Sequence, residues 1–210
     1  MADLTLYGDS TWVSPWVFHA LVALEELGQR YKLEPLPLPL PAKAREQLAA
    51  KAILGKVPCL VHGDVWLTES SAITEYLAEV FPTPALLPTE QVARARARQV
   101  MSWLRTALQP LRDERPTSSV FQRPVTTPLS DKGREAADEL VRVTETLLAP
   151  EAQHLFGAWS IADADVSLAL MRLAANGDPL PARVSDYALA QWNRPSIRKY
   201  LSYVPTNRSK

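Results

Sequence analysis

The chain contains a single cysteine, Cys59, among 210 residues. No disulfide can close within it and no thiolate cluster can form. Its three histidines are scattered rather than set at ligand spacing, so no metal is expected. No apolar run reaches the ~18 residues that a membrane span requires. Met1-Ala2-Asp3 leads straight into strand-like residues without a basic or hydrophobic leader, and a cytoplasmic protein is expected. Neither sign of charge prevails: 23 Lys and Arg face 23 Asp and Glu, which removes the whole-chain electrostatic case for nucleic acid or an anionic membrane. Internal repeats are missing too. What is present is a 47% apolar composition, ample for a buried core, in a length that suits one large or two small domains.

The most informative stretch is Gly55-Lys56-Val57-Pro58-Cys59-Leu60, followed by Glu69-Ser70-Ser71-Ala72-Ile73. A proline entering an apolar run cannot donate to a ladder, so Pro58 belongs at a strand start or sheet edge, and Val57 before it is driven into extended geometry. If the Val57-Pro58 bond is cis, the Val57 backbone faces outward, where an extended peptide can pair with it as an added strand. Cys59-Leu60-Val61 and Val65-Trp66-Leu67 then read as short strands around the turn His62-Gly63-Asp64. A helix follows over about Ser70 to Val80, with Ile73, Leu77 and Val80 on one face. Its free N–H groups and positive dipole end attract a carboxylate, and Glu69 can receive an ammonium group, so Glu69 and Ser70 suit the zwitterionic end of an amino acid. The alternative is structural: Thr68 or Ser70 caps the helix and Glu69 complements its dipole.

At the N-terminus, Leu4-Thr5-Leu6-Tyr7 reads as a strand and Gly8-Asp9-Ser10-Thr11 as a loop. Ser14-Pro15 is an N-cap with proline at the first helical position, and Val17, Leu21, Leu24 and Leu27 carry an apolar face to a stop at Gly28. An extended run rich in proline at Leu33 to Pro41, a helical stretch near Lys43 to Ala52, the hairpin and the last helix complete βαβαββα. That order is thioredoxin-like.

On these residues the chain resembles a cytosolic glutathione S-transferase: the Ser14-Pro15 start, the Val57-Pro58 turn and Glu69-Ser70-Ser71-Ala72-Ile73 stand in that family's order and spacing. In the second half, Phe156-Gly157-Ala158-Trp159-Ser160-Ile161-Ala162-Asp163 resembles the family's capping box, Ser160 capping a buried helix and Asp163 closing it. The stretch Arg112 to Pro116, the long loop to Gly133, Asn176-Gly177-Asp178, Asp186-Tyr187 and Gln191-Trp192 resemble a bacterial serine-type subgroup. Two departures stand out: Ala52-Ile53 replaces the usual Asn-Pro, and Val17-Phe18-His19 lacks the basic residue often found one turn after the serine.

The resemblance implies an α/β thioredoxin-like glutathione-binding domain over 1–82 and an all-α domain over 90–210, joined by the proline-rich link Phe81-Pro82-Thr83-Pro84 to Thr89. It implies that Ser14 donates a hydrogen bond to the sulfur of glutathione, that Val57 pairs with its cysteinyl unit and that Glu69 and Ser70 bind its γ-glutamyl end. Lys43 and Lys56 are candidates for the glycine carboxylate or are ordinary solvated lysines. Ser10 and Thr11 offer hydroxyls in the same loop and could replace or assist Ser14. A free thiol of pKa about 8.5 is only a few per cent ionised at neutral pH, so a hydroxyl donor at a helix start would stabilise the attacking anion. With serine where oxidoreductase-like relatives carry cysteine, no mixed disulfide with the protein forms at that position. The implied activity is transfer of glutathione to a small hydrophobic electrophile, with reduction of a hydroperoxide as a second possibility, in a homodimer. Open alternatives are a regulatory glutathione-binding partner with little activity and a glutathione-dependent lyase or isomerase. The resemblance also offers Trp12, Trp16 and Trp103 to Arg112 as candidate walls for the second substrate.

Cys59, between apolar neighbours, reads as a small core residue rather than a redox group. Arg94, Arg96 and Arg98 fan around a helix surface instead of lining one face. Helices are expected over about Glu90 to Glu114, Asp131 to Leu148, Ser160 to Asn176, Pro181 to Asn193 and Pro195 to Tyr203, with a long loop at Arg115 to Leu129 of the kind that often forms a lid or binding edge.

Overall fold

The computed structural model describes residues 4–205. Contacts divide the chain into two compact units, the described parts of Met1–Leu86 and Lys199–Pro205 forming one and Leu87–Arg198 the body of the other.

In the first unit β1 (Leu4–Asp9), α1 (Pro15–Glu26), β2 (Tyr31–Leu36), α2 (Ala42–Ala52), β3 (Cys59–His62), β4 (Val65–Thr68) and α3 (Ser70–Val80) reproduce the expected βαβαββα order. The strands form one mixed sheet in the order β2-β1-β3-β4, with β1 parallel to β2 and antiparallel to β3, and β3 antiparallel to β4. Pro35 falls on the edge strand β2, where a missing N–H leaves no ladder bond unmade. Gly63, at φ +59°, supplies the left-handed residue that the short β3–β4 turn demands. Successive side chains of a strand point to opposite faces of the sheet. Accordingly Leu4 and Leu6 are buried with α1 and α3 on one face, while Tyr7 joins Leu36, Leu48, Cys59 and Trp66 beside α2 on the other. Val17 to Leu24 of α1 are fully buried, which explains an apolar content too broad for a surface helix. Cys59 has no exposed surface, and burial pushes its thiol up to about 11, as befits a core residue.

The second unit is helical: α4 (Gln91–Thr106), α5 (Gln109–Glu114), α6 (Thr117–Phe121), α7 (Asp131–Leu147), α8 (Ile161–Ala174) and α9 (Ala182–Trp192), with α10 (Pro195–Leu201) running across the boundary between the units. Leu104, Leu111, Leu140, Leu170 and Val184 lie in its core. Two expectations are corrected. The single helix over Glu90 to Glu114 is two, because Pro110 in the first turn of α5 cannot donate to the Thr106 carbonyl and so ends α4. The loop at Arg115 to Leu129 contains α6, and it is held from both ends. Arg115 grips Asp178 through Nε and Nη2 at 2.6 and 2.9 Å, while Asn176 accepts from Val125 N–H at 2.5 Å and donates to Ser119 Oγ at 2.9 Å. A loop tied in this way is a packed part of its unit.

The capping box at the start of α8 is centred on its carboxylate. Asp163, fully buried, accepts from Leu155 N–H, Ser160 N–H and Tyr187 O–H, each at 2.9 Å, and from the Ser160 hydroxyl at 3.2 Å. Desolvation nevertheless raises its carboxyl above the ordinary value, and burial, together with the neighbouring carboxylate, raises the Tyr187 phenol well above its own.

Candidate functional site

The sheet registers gather the sequence-selected residues of the first unit at one end. Pairing of Tyr7 with Cys59 and of Cys59 with Thr68 sets the frame. Val57 lies two residues before Cys59, Asp9 two after Tyr7 and Ser70 two after Thr68, just beyond the ends of the β1–β3 and β3–β4 pairings. Val57 itself precedes the paired register, so the sheet does not take up its backbone, and the Val57-Pro58 bond is cis. Gly55, just before it, passes so close to α2 that a Cβ there would lie 2.5 Å from the Arg45 carbonyl oxygen. Only glycine fits this approach. Upstream, Ile53 is 89% exposed at φ 67°, and Leu54 N–H donates to Ala52 C=O at 2.7 Å, a γ-turn that a β-branched residue rarely adopts.

On the β1 side, the Asp9 carboxylate organises the loop to α1. It is fully buried and accepts from Thr11 Oγ1 at 2.7 Å, Val13 N–H at 2.9 Å and Ser14 N–H at 3.3 Å. Ser14 is the N-cap of α1, and its hydroxyl oxygen accepts from Val17 N–H at 3.3 Å. That bond uses the oxygen and leaves the hydroxyl proton to be donated elsewhere. Thr11, in contrast, already donates its proton to Asp9. Trp12, offered above as a wall for a second substrate, is only 7% exposed and is engaged by the rings of Tyr200 and Tyr203.

On the β4 side, no side chain caps α3. Thr68 instead donates to the Ala52 carbonyl at 3.3 Å, and Ser70 is the first helical residue, so the capping alternative is set aside. Glu69 takes φ 67° and ψ 112°, an uncommon conformation for a side chain of this type. Its carboxylate lies 3.6 Å from Lys56 Nζ, with the two side chains 59% and 66% exposed. An ion pair so solvated is weak, and Glu69 can exchange it for an incoming cation. Lys56 is thus beside Glu69, whereas Lys43 is exposed in the first turn of α2. The arrangement is two helix starts near a backbone segment that the sheet leaves unpaired, with a carboxylate beside one of them.

The model of the glutathione S-transferase N-terminal domain matches residues 13–80, and that of the C-terminal domain matches residues 90–205. Glutathione S-transferase 3 of Zea mays is 30% identical over 223 residues, covering 98% of this chain and 96% of the maize protein.

The chain belongs to the glutathione S-transferase family.

A solved glutathione transferase homolog from Burkholderia gl BGR1, with bound glutathione, is 34% identical and superposes at a TM-score of 0.76 over 95% of this chain and 96% of its own. A probable maleylacetoacetate isomerase of Caenorhabditis elegans is 34% identical over 96 residues, 46% of this chain and 44% of that protein. Several other curated relatives are matched over half of their length or less. Among the described residues no helix is long and apolar enough to cross a membrane. Sequence reasoning did not find the organising role of Asp9, or Tyr200 and Tyr203 in the first unit. An aspartate between a strand and an N-cap is a readable loop anchor. The two tyrosines lie too far along the chain to leave such a signal.

Proposed function

We propose that this chain is a serine-type glutathione transferase in which Ser14 donates its hydroxyl proton as a hydrogen bond to the glutathione thiolate. The observation that carries the reading is the bonding of Ser14: at a helix start, its oxygen accepts from Val17 N–H, a bond that does not use its own proton. Val57 offers a backbone left unpaired by the sheet for the cysteinyl unit. The uncapped start of α3 at Ser70 suits the γ-glutamyl carboxylate, with Glu69 for its ammonium group. Lys56, and less directly Lys43, suit the glycine carboxylate.

In the conjugation step the thiol proton leaves to solvent, the sulfur lone pair forms the bond to the electrophilic carbon, and the displaced pair departs with the leaving group or is protonated. With a hydroperoxide the thiolate attacks the terminal oxygen, the O–O bond breaks and the alcohol leaves. A second glutathione then converts the sulfenic acid to the disulfide and water. The small electrophile and a homodimeric assembly belong to the same proposal. The nematode relative favours one further reading, a glutathione-dependent isomerase, in which the thiolate adds to a double bond and leaves again after rotation.

Calorimetric titration with glutathione, run beside conjugation, hydroperoxide and cis–trans isomerisation assays, tests the reading. Binding with turnover of aryl halides or hydroperoxides is expected. Turnover confined to isomerisation would favour the second reading, and binding without any turnover a regulatory role. Glu69→Gln is expected to raise the Kd for glutathione ~10-fold or more, since a charged hydrogen bond is worth about 1.5–3 kcal/mol, while kcat at saturating glutathione stays near wild type.

A further inference from the structure

The first unit includes Lys199–Pro205, a segment far along the chain from the loop that carries Ser14. Its two tyrosines close on that loop. Tyr203 stacks on Trp12 with ring centroids 4.9 Å apart and planes 24° from parallel. Tyr200, fully buried, meets Trp12 edge-on at 6.0 Å and Phe18 of α1 edge-on at 5.1 Å, and its hydroxyl donates to the Ser14 carbonyl oxygen at 3.4 Å. Lys199 lies over the Tyr203 ring at 5.1 Å.

Trp12 has φ 55°, a backbone state that a bulky L residue holds only where its surroundings impose it. The Asp9 carboxylate imposes it from inside the loop, through Thr11 and Val13. The tyrosine rings impose it from outside, by clamping the indole. Two residues later the same backbone presents the Ser14 hydroxyl. Without the rings Trp12 can relax toward ordinary φ, and that rotation is transmitted to Ser14.

Resting on the reading of Ser14 given above, we infer that Tyr200 and Tyr203 are positioning residues for the thiol site: the segment Lys199–Pro205 clamps Trp12 and so fixes the hydroxyl that faces the glutathione sulfur. Neither tyrosine touches the substrate in this assignment. Its signature is therefore a shift in thiol ionisation, with little change in glutathione affinity.

The test compares wild type with Tyr203→Ala, Tyr203→Phe, Tyr200→Phe and Ser14→Ala in full-length protein. Three quantities are read: the thiol pKa of bound glutathione by thiolate absorbance, the glutathione Kd, and the melting temperature. Tyr203→Ala is expected to move the thiol pKa up by about one unit and to lower kcat/KM near neutral pH ~10-fold, with Kd changed less than about twofold. Tyr203→Phe restores both values by keeping the stack. Tyr200→Phe, which loses the bond to the Ser14 carbonyl and keeps the ring, moves them in the same direction by less. If Tyr203→Ala lowers the melting temperature but leaves thiol pKa and pH profile at wild type, the tyrosines are packing alone and the inference is overturned. Should Tyr203→Ala not fold, Tyr203→Leu fills the same space without the stack and decides on the same readouts. A thiol pKa unmoved by Ser14→Ala removes the reading of Ser14 itself. One that moves in Ser14→Ala but not in Tyr203→Ala or Tyr203→Leu removes only the inference.

Discussion

Ser14→Ala is expected to lower kcat/KM for conjugation about 100-fold while leaving glutathione bound with nearly unchanged affinity. Loss of one preorganised donor to a developing or resting anion typically costs ~10²–10³ in rate. The lower end applies here, because the dipole of α1 and its first N–H groups remain to hold part of the charge. The same substitution removes the N-cap of α1, whose acceptor is 3.3 Å from Val17 N–H, and is expected to cost about 1 kcal/mol of stability. The two effects separate with Ser14→Thr and Ser14→Gly. Threonine keeps cap and donor; glycine gives up only a few tenths of a kcal/mol as a cap but supplies no hydroxyl. Steady-state kinetics with calorimetry and a thermal melt on each variant checks this. Activity retained in both Ala and Gly variants would shift attention to Ser10, since the Thr11 proton is committed to Asp9 at 2.7 Å.

The largest effect on stability is expected at Asp163. Its removal leaves Leu155 N–H, Ser160 N–H, the Ser160 hydroxyl and the Tyr187 hydroxyl without their acceptor in a buried site. Deleting one member of such a buried charged network costs about 3–5 kcal/mol. Total stabilities are about 5–15 kcal/mol, so Asp163→Ala is expected to melt about 6–20 °C lower, or to accumulate as unfolded protein. The pH dependence has a definite sign. Desolvation raises the folded carboxyl above its ordinary value, so between those two values the folded state holds the proton more tightly than the unfolded chain. The contribution of this group is therefore fully present below the unfolded value and declines as pH rises through the folded one. Denaturant midpoints of wild type and Asp163→Asn, measured across acidic pH, are expected to converge with rising pH over that interval. A cost under about 1 kcal/mol for Asp163→Ala would mean that water replaces the carboxylate.

Much of the first unit was legible because its signals are local. A proline at the first helical position after Ser14, a hairpin turn at Gly63 and a proline restricted to the edge strand each impose backbone geometry directly. Their relative placement followed from the period of the strands. Glu69 was chosen for its charge, but its positive φ was not readable, since glutamate has no preference for that region. Thr68 and Ser70 both looked like caps, and only the structure sends the Thr68 hydroxyl to Ala52 instead. In the second unit Pro110 broke a helix whose apolar spacing runs on without interruption, and α6 lay hidden among the prolines of its loop. The clamp on Trp12 was invisible for another reason: stacking between residues so far apart in the chain leaves no periodicity to detect.

The most direct measurement is the titration of the glutathione thiol bound to the wild-type protein, followed by thiolate absorbance against free glutathione. A bound thiol that ionises at least one unit below the free value of about 8.5, with the shift lost in Ser14→Ala, is the expected result. A thiol that titrates in the complex as it does in water, or a shift that persists unchanged without the Ser14 hydroxyl, would contradict it.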